Sequence, residues 1–269
     1  MEKLLEKKTA IITGAANGVG QIISQKFSEE GANLILADMD ESNLKKEADL
    51  IRKGGSQVEI FCGDLRQNLT IKNLLALSTK TFKNIDILVN ASRQVTISHP
   101  LDSDNMFFEE LMSQNVGVNL KLSREVAKKM IAQNISQPDS GNAIGSIVNL
   151  SSIASHRTLP DTLAYSVSSA ALDQLTKSMA ISLAESKIRV NAVAIGSVMS
   201  SSLRAKLAKN KFALEDLIAA TPLGRLGEAT EAAEAVLFLA SEKSSFITGT
   251  ILTVDGGRSL LDRMPAAAY

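Results

Sequence analysis

Thr9–Asp38 reads TAIITGAANGVGQIISQKFSEEGANLILAD. Thr9–Thr13 is a short apolar run stopped by Gly14, the pattern of a buried strand. Gly18–Glu30 then carries Val19, Ile22, Ile23 and Phe27 at helical spacing, with Gly31 as its stop. Asn33–Ala37 is a second apolar run and ends at Asp38. Between the first strand and the helix the turn reads Thr13-Gly14-Ala15-Ala16-Asn17-Gly18-Val19-Gly20. Glycines there let the backbone turn tightly and approach a pyrophosphate, which the free amides and dipole of the helix N-terminus attract. An acid at the end of the second strand completes the context of a dinucleotide fingerprint. Asp38 would accept both ribose hydroxyls of an adenosine, and its charge would repel a 2′-phosphate. Neither Asn17 nor Met39 supplies a compensating cation, so NAD is expected rather than NADP. The bland alternatives are a merely structural turn, and an Asp38 that only caps the next helix.

Working outward, the same alternation continues. Glu41–Lys53 is a charged amphipathic helix closed by Gly54 and Gly55, and Val58–Cys62 is a third strand. A helix over roughly 67–81, a strand at Ile85–Val89 and a long helix over 105–133 follow. A polar loop, QNISQPDSGN, leads to a fifth strand at 144–150 and a helix over 163–185. Ile188–Ala194 and Gly249–Val254 are the last two strands. Strands alternating with helices imply a parallel sheet covered on both faces. The expected fold is α/β, a Rossmann-like doubly wound sheet of about seven strands. No Pro/Gly-rich linker or internal repeat divides the chain, so residues 1–269 are read as one domain. Within it, a substrate segment is expected at roughly 196–225 and a tail at 259–269.

Composition narrows the function classes. Lys plus Arg and Asp plus Glu are 29 each, so nothing suggests a nucleic-acid or anionic-membrane partner. With no Trp and 4% aromatics the core must be aliphatic. Cys62 is the single cysteine, which excludes an internal disulfide and reads as an inert strand residue in a reducing compartment. No apolar run reaches the ~18 residues of a membrane span. MEKLLEKK at the N-terminus lacks the apolar region of a signal peptide, so a cytoplasmic protein is expected. No metal site is expected.

The second informative stretch is Leu150–Leu172, LSSIASHRTLPDTLAYSVSSAAL. It carries Ser151 and Ser152 at a strand tip, His156, and Tyr165, one of two tyrosines in the chain. A hydroxyl at a strand tip facing a phenol on the next helix is a proton-handling pair. Ser169 follows Tyr165 by one helical turn, where side chains stand side by side.

From Lys8 to Leu260 the chain resembles the short-chain dehydrogenase/reductase family, and its C-terminal third is similar to the 3-oxoacyl-carrier-protein reductase and hydroxysteroid dehydrogenase branches. Thr13–Gly20 meets the pattern T-G-x-x-x-G-x-G. Ser152 and Tyr165 stand at the family's separation, and Asn115 falls where the family has the active-site Asn of its long helix, with Asn119 a rival one turn later. The resemblance implies cofactor contacts at Gly14, Asn17, Gly18, Val19, Gly20, Asp38 and Met39, and at Asp64-Leu65, where the Asp contacts adenine. It implies others at Asn90, Ala91 and Ser92, and at Gly196, Val198 and Ser200. A homotetramer built on the 105–133 and 163–185 helices is implied as well. Three motifs depart. Tyr-x-x-x-Lys reads Tyr165-Ser166-Val167-Ser168-Ser169, N-N-A-G reads Asn90-Ala91-Ser92-Arg93, and P-G reads Ile195-Gly196.

In the mechanism so implied, NADH gives hydride to a carbonyl carbon, Tyr165 protonates the oxygen, Ser152 holds that oxygen, and Asn115 supports a water chain. A phenol ordinarily titrates near pH 10, and the family's lysine supplies a cation that favours tyrosinate and binds the nicotinamide ribose. Without it, weak carbonyl reduction and still weaker alcohol oxidation are expected, because oxidation needs tyrosinate. Lys177 lies about 18 Å further along the helix and cannot substitute. Arg93 is the candidate replacement, since both strand ends border the ligand crevice; alternatively it points to solvent or obstructs the nicotinamide. A separation above about 8 Å from the Tyr165 hydroxyl would rule against replacement. His156 is a lesser candidate proton donor. Met199–Ala220 is expected to form an apolar substrate wall. The competing reading is a catalytically silent NAD-binding scaffold or sensor subunit of the same fold.

Overall fold

β1 (Thr9–Thr13) is buried at every position because it lies between two helical layers. Its side chains alternate, with Ile12 entering one core and Ile11 the other. The computed structural model describes residues 3–97, 99–101, 107–135, 143–200, 203–204, 207 and 211–261. Among them, β2 (Asn33–Asp38), β3 (Val58–Cys62), β4 (Ile87–Asn90), β5 (Gly145–Ser152), β6 (Ile188–Ile195) and β9 (Ile251–Val254) join β1 in one sheet. The order is β3-β2-β1-β4-β5-β6-β9, and every pairing is parallel. β7 (Val198–Met199) pairs with β8 (Gly227–Glu228) in a small second ladder.

α1 (Gly18–Glu29), α2 (Glu41–Lys53) and α8 (Ala229–Ala240) cover one face, where Phe27, Leu44 and Val236 are fully buried. α3 (Asn68–Phe82), α5 (Val118–Asn134) and α6 (Leu163–Leu183) cover the other with Leu74, Leu122, Val126 and Ala180. α4 (Phe107–Met112) precedes α5, and α7 (Lys211–Ala219) follows β7. This is a single α/β domain with a seven-stranded parallel sheet, the Rossmann-like fold expected. Truncating a fully buried aromatic such as Phe27 to Ala costs about 3–5 kcal/mol in such a core.

The differences from expectation have local causes. The strand expected at Ile85–Val89 begins at Ile87 and reaches Asn90. Gln133 takes both backbone groups of Ile85, accepting from its amide at 3.1 Å and donating to its carbonyl at 2.6 Å, where a ladder would otherwise form. β5 runs two residues past the expected 150, because Ser151 and Ser152 still pair with Ala194 and Ile195. The last strand starts at Ile251, after Gly249 at φ +77°. The long helix is interrupted by a π turn at Ser113–Gly117 between α4 and α5. Residues 105–106, most of the polar loop (136–142), the tail beyond 261, and 201–202, 205–206 and 208–210 of the substrate segment lie outside the described residues.

Candidate functional site

The strand order reverses between β1 and β4, and a crevice opens there at the strand C-termini, as open α/β sheets require. Thr13 Oγ1 accepts from the amides of Ala91 and Ser92, both at 3.1 Å, and ties the loop after β4 to the glycine turn. Gly14 has φ +66°, and a Cβ there would lie 2.8 Å from the Ser92 backbone. A Cβ on Gly20 would lie 2.2 Å from the Gly14 carbonyl oxygen, so α1 meets the turn only through glycine. Gly18 also has positive φ, but a Cβ there would meet nothing within 4 Å because it faces the open cleft. Asn17, at the start of α1, makes no side-chain cap, and the first turn holds no acid. The free amides and positive dipole end therefore stay uncompensated.

Asp38 leaves β2 and is fixed by three amides: Ala16 at 3.1 Å on Oδ2, Met39 at 2.7 Å and Asp40 at 3.1 Å on Oδ1. The cap of α2 is Asp40, which accepts from Asn43 at 3.0 Å, so Asp38 is not that helix's cap. Asp38 instead borders a cleft of about 410 Å³ with Gly14, Asn17, Gly18, Val19, Gly20, Ala91, Ser92, Arg93 and Ser200. Met39 stands exposed beside it.

Several expected cofactor contacts are not among the residues lining that cleft. The Asp64 carboxylate is gripped by the Arg66 guanidinium at 2.9–3.0 Å, which holds it below the ordinary carboxylate range. Leu65 is buried in the core under α3 and α5. Asn90 is buried and donates to Ser123 and Asn149 at 3.0 and 2.8 Å, and Asn149 donates to Thr176 at 2.9 Å. This chain of amides and hydroxyls stitches α5, β4, β5 and α6 together. Val198 is buried in β7 beside a smaller cavity. A Cβ on Gly196 would lie 2.6 Å from Asp255 Cβ. Ser200 lines the cleft, and its hydroxyl accepts from the Leu203 amide at 3.2 Å.

A second cavity, about 530 Å³, lies over the ends of β5 and β6 and is lined by Ser152, Tyr165, Gly196 and Val95. Val95 also lines the first cleft, so the two spaces meet there. Ser152 Oγ accepts from the Ala154 amide at 3.2 Å, which leaves its own proton to donate. Ser151 turns away and bonds Asp173 at 2.5 Å. Tyr165 is only 8% exposed. Arg93 Nη1 donates to the Tyr165 hydroxyl oxygen at 3.0 Å and to the Ser151 carbonyl at 3.1 Å. A guanidinium has donors only, so Tyr165 is the acceptor and keeps its proton, which no acceptor takes among the described residues. Arg93 is therefore well inside the 8 Å limit and turned to the phenol instead of to solvent, while it also lines the first cleft, where a nicotinamide would have to pass it.

Ser169 is buried and donates to the Tyr165 carbonyl at 2.8 Å, which binds its hydroxyl to the helix backbone. Asn115 sits in the π turn, a feature frequent at functional sites. Its side chain is paired with the Gln94 backbone both ways, accepting at 2.8 Å and donating at 2.9 Å, and it reaches Ser168 at 3.2 Å. Asn119, the rival, donates to the Asn115 carbonyl at 2.7 Å, and the hydrogen bond that reaches the Tyr165 hydroxyl comes from Arg93. The groups through which Asn115 would start a water chain are thus engaged with protein. His156 is exposed, bonds Ser155 at 3.0 Å, and does not line the cavity. Lys177 is exposed on α6.

Sequence reasoning missed Gln94, Val95, Arg157 and Arg258. The last two line the larger cavity, and no carboxylate does among the described residues. All four lie on loops whose local sequence carries no pattern, so only the closing of the fold brings them in.

The chain is similar to known proteins over nearly its whole length. Residues 14–259 match the family model described as enoyl-(acyl carrier protein) reductase. Oxidoreductase UcpA of Salmonella typhimurium is 35% identical over 262 residues, covering 95% of this chain and 96% of that protein. The 3-oxoacyl-(acyl-carrier-protein) reductase FabG of Thermotoga maritima is 33% identical over 259 residues, covering 94% and 98%. A 7α-hydroxysteroid dehydrogenase solved with NADH and 7-oxo glycochenodeoxycholic acid superposes with a TM-score of 0.87 at 29% identity, covering 95% of this chain and 96% of that one. With a sheet of this order, a glycine turn at its switch point, and matches that run nearly end to end, the chain belongs to the short-chain dehydrogenase/reductase family.

Proposed function

We propose that this protein is an NAD(H)-dependent oxidoreductase that interconverts a carbonyl and a secondary alcohol, working best as a reductase. The observation that carries the reading is the Tyr165 phenol, whose oxygen is occupied by Arg93 while its proton stays available beside Ser152. Support for the cofactor comes from the uncapped start of α1, the open face at Gly18, and Asp38 at the cleft edge. These fit an anionic dinucleotide: first-turn amides would take the pyrophosphate, and Asp38 the adenosine ribose hydroxyls. When bound, the reduced nicotinamide supplies the hydride. Ser152 donates a hydrogen bond to the carbonyl oxygen, and Tyr165 then gives that oxygen its proton. Asn115 acts as a positioning residue through Gln94.

Arg157 and Arg258, with no carboxylate among the lining residues, suit a carbonyl carried on an anionic body. The 7-oxo bile acid bound by the structural relative is of that class, and a 3-oxoacyl group on a phosphate-bearing carrier would be another. From the expected substrate segment, Gly196 and Ser197 line the cavity on the substrate side. Because Ser169 offers no charge to the nicotinamide ribose, turnover is lower than a lysine would give. Arg93 narrows the gap between reduction and oxidation that a wholly uncharged site would have. Cytoplasmic action as a homotetramer belongs to the same reading, supported by the exposed Phe107, Leu163 and Val167 on α4 and α6.

A second reading, an NAD-binding subunit without turnover, is favoured by Arg93 lining the cofactor cleft and by the bonded Ser169 hydroxyl. NADH absorbance followed with acetoacetyl and oxo-steroid substrates, alongside NAD calorimetry, separates the two. We expect slow NADH oxidation that Tyr165→Phe reduces by about 10²–10⁴-fold, with NAD binding kept. Tight NAD binding with no turnover across the panel would establish the silent subunit instead.

A further inference from the structure

We infer that Arg93 is a catalytic residue of this site, the cation that stabilises Tyr165 when it gives up its proton. The inference rests on the proton-donor reading of Tyr165 above. In that step the phenol O–H bond breaks, the bonding pair stays on the oxygen, and the tyrosinate so formed lies against a guanidinium already in contact. Solvent returns the proton afterwards.

The geometry is specific. Arg93 Nη1 lies 3.0 Å from the Tyr165 oxygen, and the same nitrogen is anchored on the Ser151 carbonyl at 3.1 Å. Arginine stays protonated at any working pH, and the phenol is almost fully buried, so little water screens the pair. The loop that presents Arg93 is pinned on both sides. Thr13 holds the amides of Ala91 and Ser92, and Asn115 holds both backbone groups of Gln94.

No other described group competes for this role. From α6, Ser168 and Ser169 donate to the Tyr165 carbonyl, and Asp173 is bonded to Ser151. From β5, Ser152 is neutral. Beyond it, His156 is exposed against Ser155, and Asp255 is occupied by the amides of Gly257 and Ser259. Arg157 and Arg258 line the cavity, but their closest bonds are to the Ser259 carbonyl and the Ser197 hydroxyl. A cation therefore reaches the phenol from the loop after β4 instead of from the next turn of its own helix.

The test uses an accident of composition: the chain has two tyrosines and no tryptophan. In a Tyr269→Phe background Tyr165 is the sole phenol, and its tyrosinate absorbance can be read without cofactor or substrate. At about pH 9, below the ordinary phenol titration, Arg93→Met should lower that absorbance about threefold or more, as loss of an opposite charge within ~4–6 Å demands. Arg93→Gln, which keeps a donor without the charge, should behave like Arg93→Met. Arg93→Lys should retain most of the signal, and Ser169→Lys added to Arg93→Met should restore part of it. Unchanged tyrosinate in a folded Arg93→Met or Arg93→Gln protein would overturn the assignment. Turnover is scored separately. Tyrosinate loss with no NADH oxidation by the wild type sinks the reductase and leaves the Arg93–Tyr165 coupling. NADH oxidation untouched by Arg93→Met, with unchanged tyrosinate, sinks Arg93 and leaves the reductase.

Discussion

Asp38 is a unit charge held by three backbone amides at the end of β2, so it cannot swing away from whatever enters the cleft. Two like charges ~4 Å apart repel by about 4 kcal/mol at a protein surface, and each 1.4 kcal/mol is tenfold in affinity. Allowing for screening by salt, NAD should bind at least about tenfold more tightly than NADP. Asp38→Ser should bring the ratio towards one, read by calorimetry of both nucleotides. A ratio unmoved by the substitution would remove Asp38 as the selector. At this scale the sequence was informative wherever chemistry sits beside its own backbone. Gly14, Gly18, Gly20 and Asp38 belong to one turn and one strand end. It was less so for Asp64, which does not line the cleft and is half of an ion pair with Arg66 two residues on.

The π turn at Ser113–Gly117 is the element that aims the site. It turns Asn115 inward, and Asn115 then fixes Gln94 and with it Arg93. Residues acting through one another are non-additive. Asn115→Ala should therefore lower turnover by about tenfold, the effect of a positioning loss of ~1.4 kcal/mol. Combined with Arg93→Met it should add almost nothing to that variant's own deficit. Full additivity in kcat, measured on the same carbonyl substrate, would show that Asn115 acts independently of Arg93. A helix over 105–133 was legible from its periodicity, but the π turn was not. One residue of extra backbone leaves the apolar spacing on either side nearly intact, and only the packing against α6 and the 91–95 loop selects it.

Across the whole molecule, carboxylates couple the site to stability. Burial pushes Asp255 up, but hydrogen bonds from Ser259 and Gly257 and the nearby His156 outweigh it, so its carboxyl sits below the ordinary value. Asp64 is lowered by Arg66, and Glu231 is held down to about 2 by Arg225 and the Glu228 amide. A depressed acid contributes stability that is full above its unfolded value and is lost as pH falls through the folded one. Asp86 runs the other way, raised by burial, so its contribution weakens as pH rises above the ordinary Asp range. Asp255→Asn should cost about 1–3 kcal/mol at pH 7, the worth of charge-assisted hydrogen bonds. The Tm gap to wild type should narrow as pH falls below about 4, the ordinary Asp value, and close as pH passes through the lower folded-state value. A gap that stays constant down to pH 3 would mean that Asp255 acts by shape and not by charge.

The order of strands and helices, the two-faced burial of β1, the glycine cradle and the acid beside it were all determined by the sequence itself. They follow from periodicity and from bonds within a few residues. The sequence also marked Tyr165 and Ser152, the absence of a lysine at 169, and Arg93 as a residue out of keeping with its loop. What only the tertiary structure decided is where Arg93 goes. Its 3.0 Å contact with a phenol 72 residues away depends on β4 and β5 lying side by side and on Asn115 holding the loop between them. Distances between side chains far apart in sequence are set by packing, and packing is a property of the closed fold.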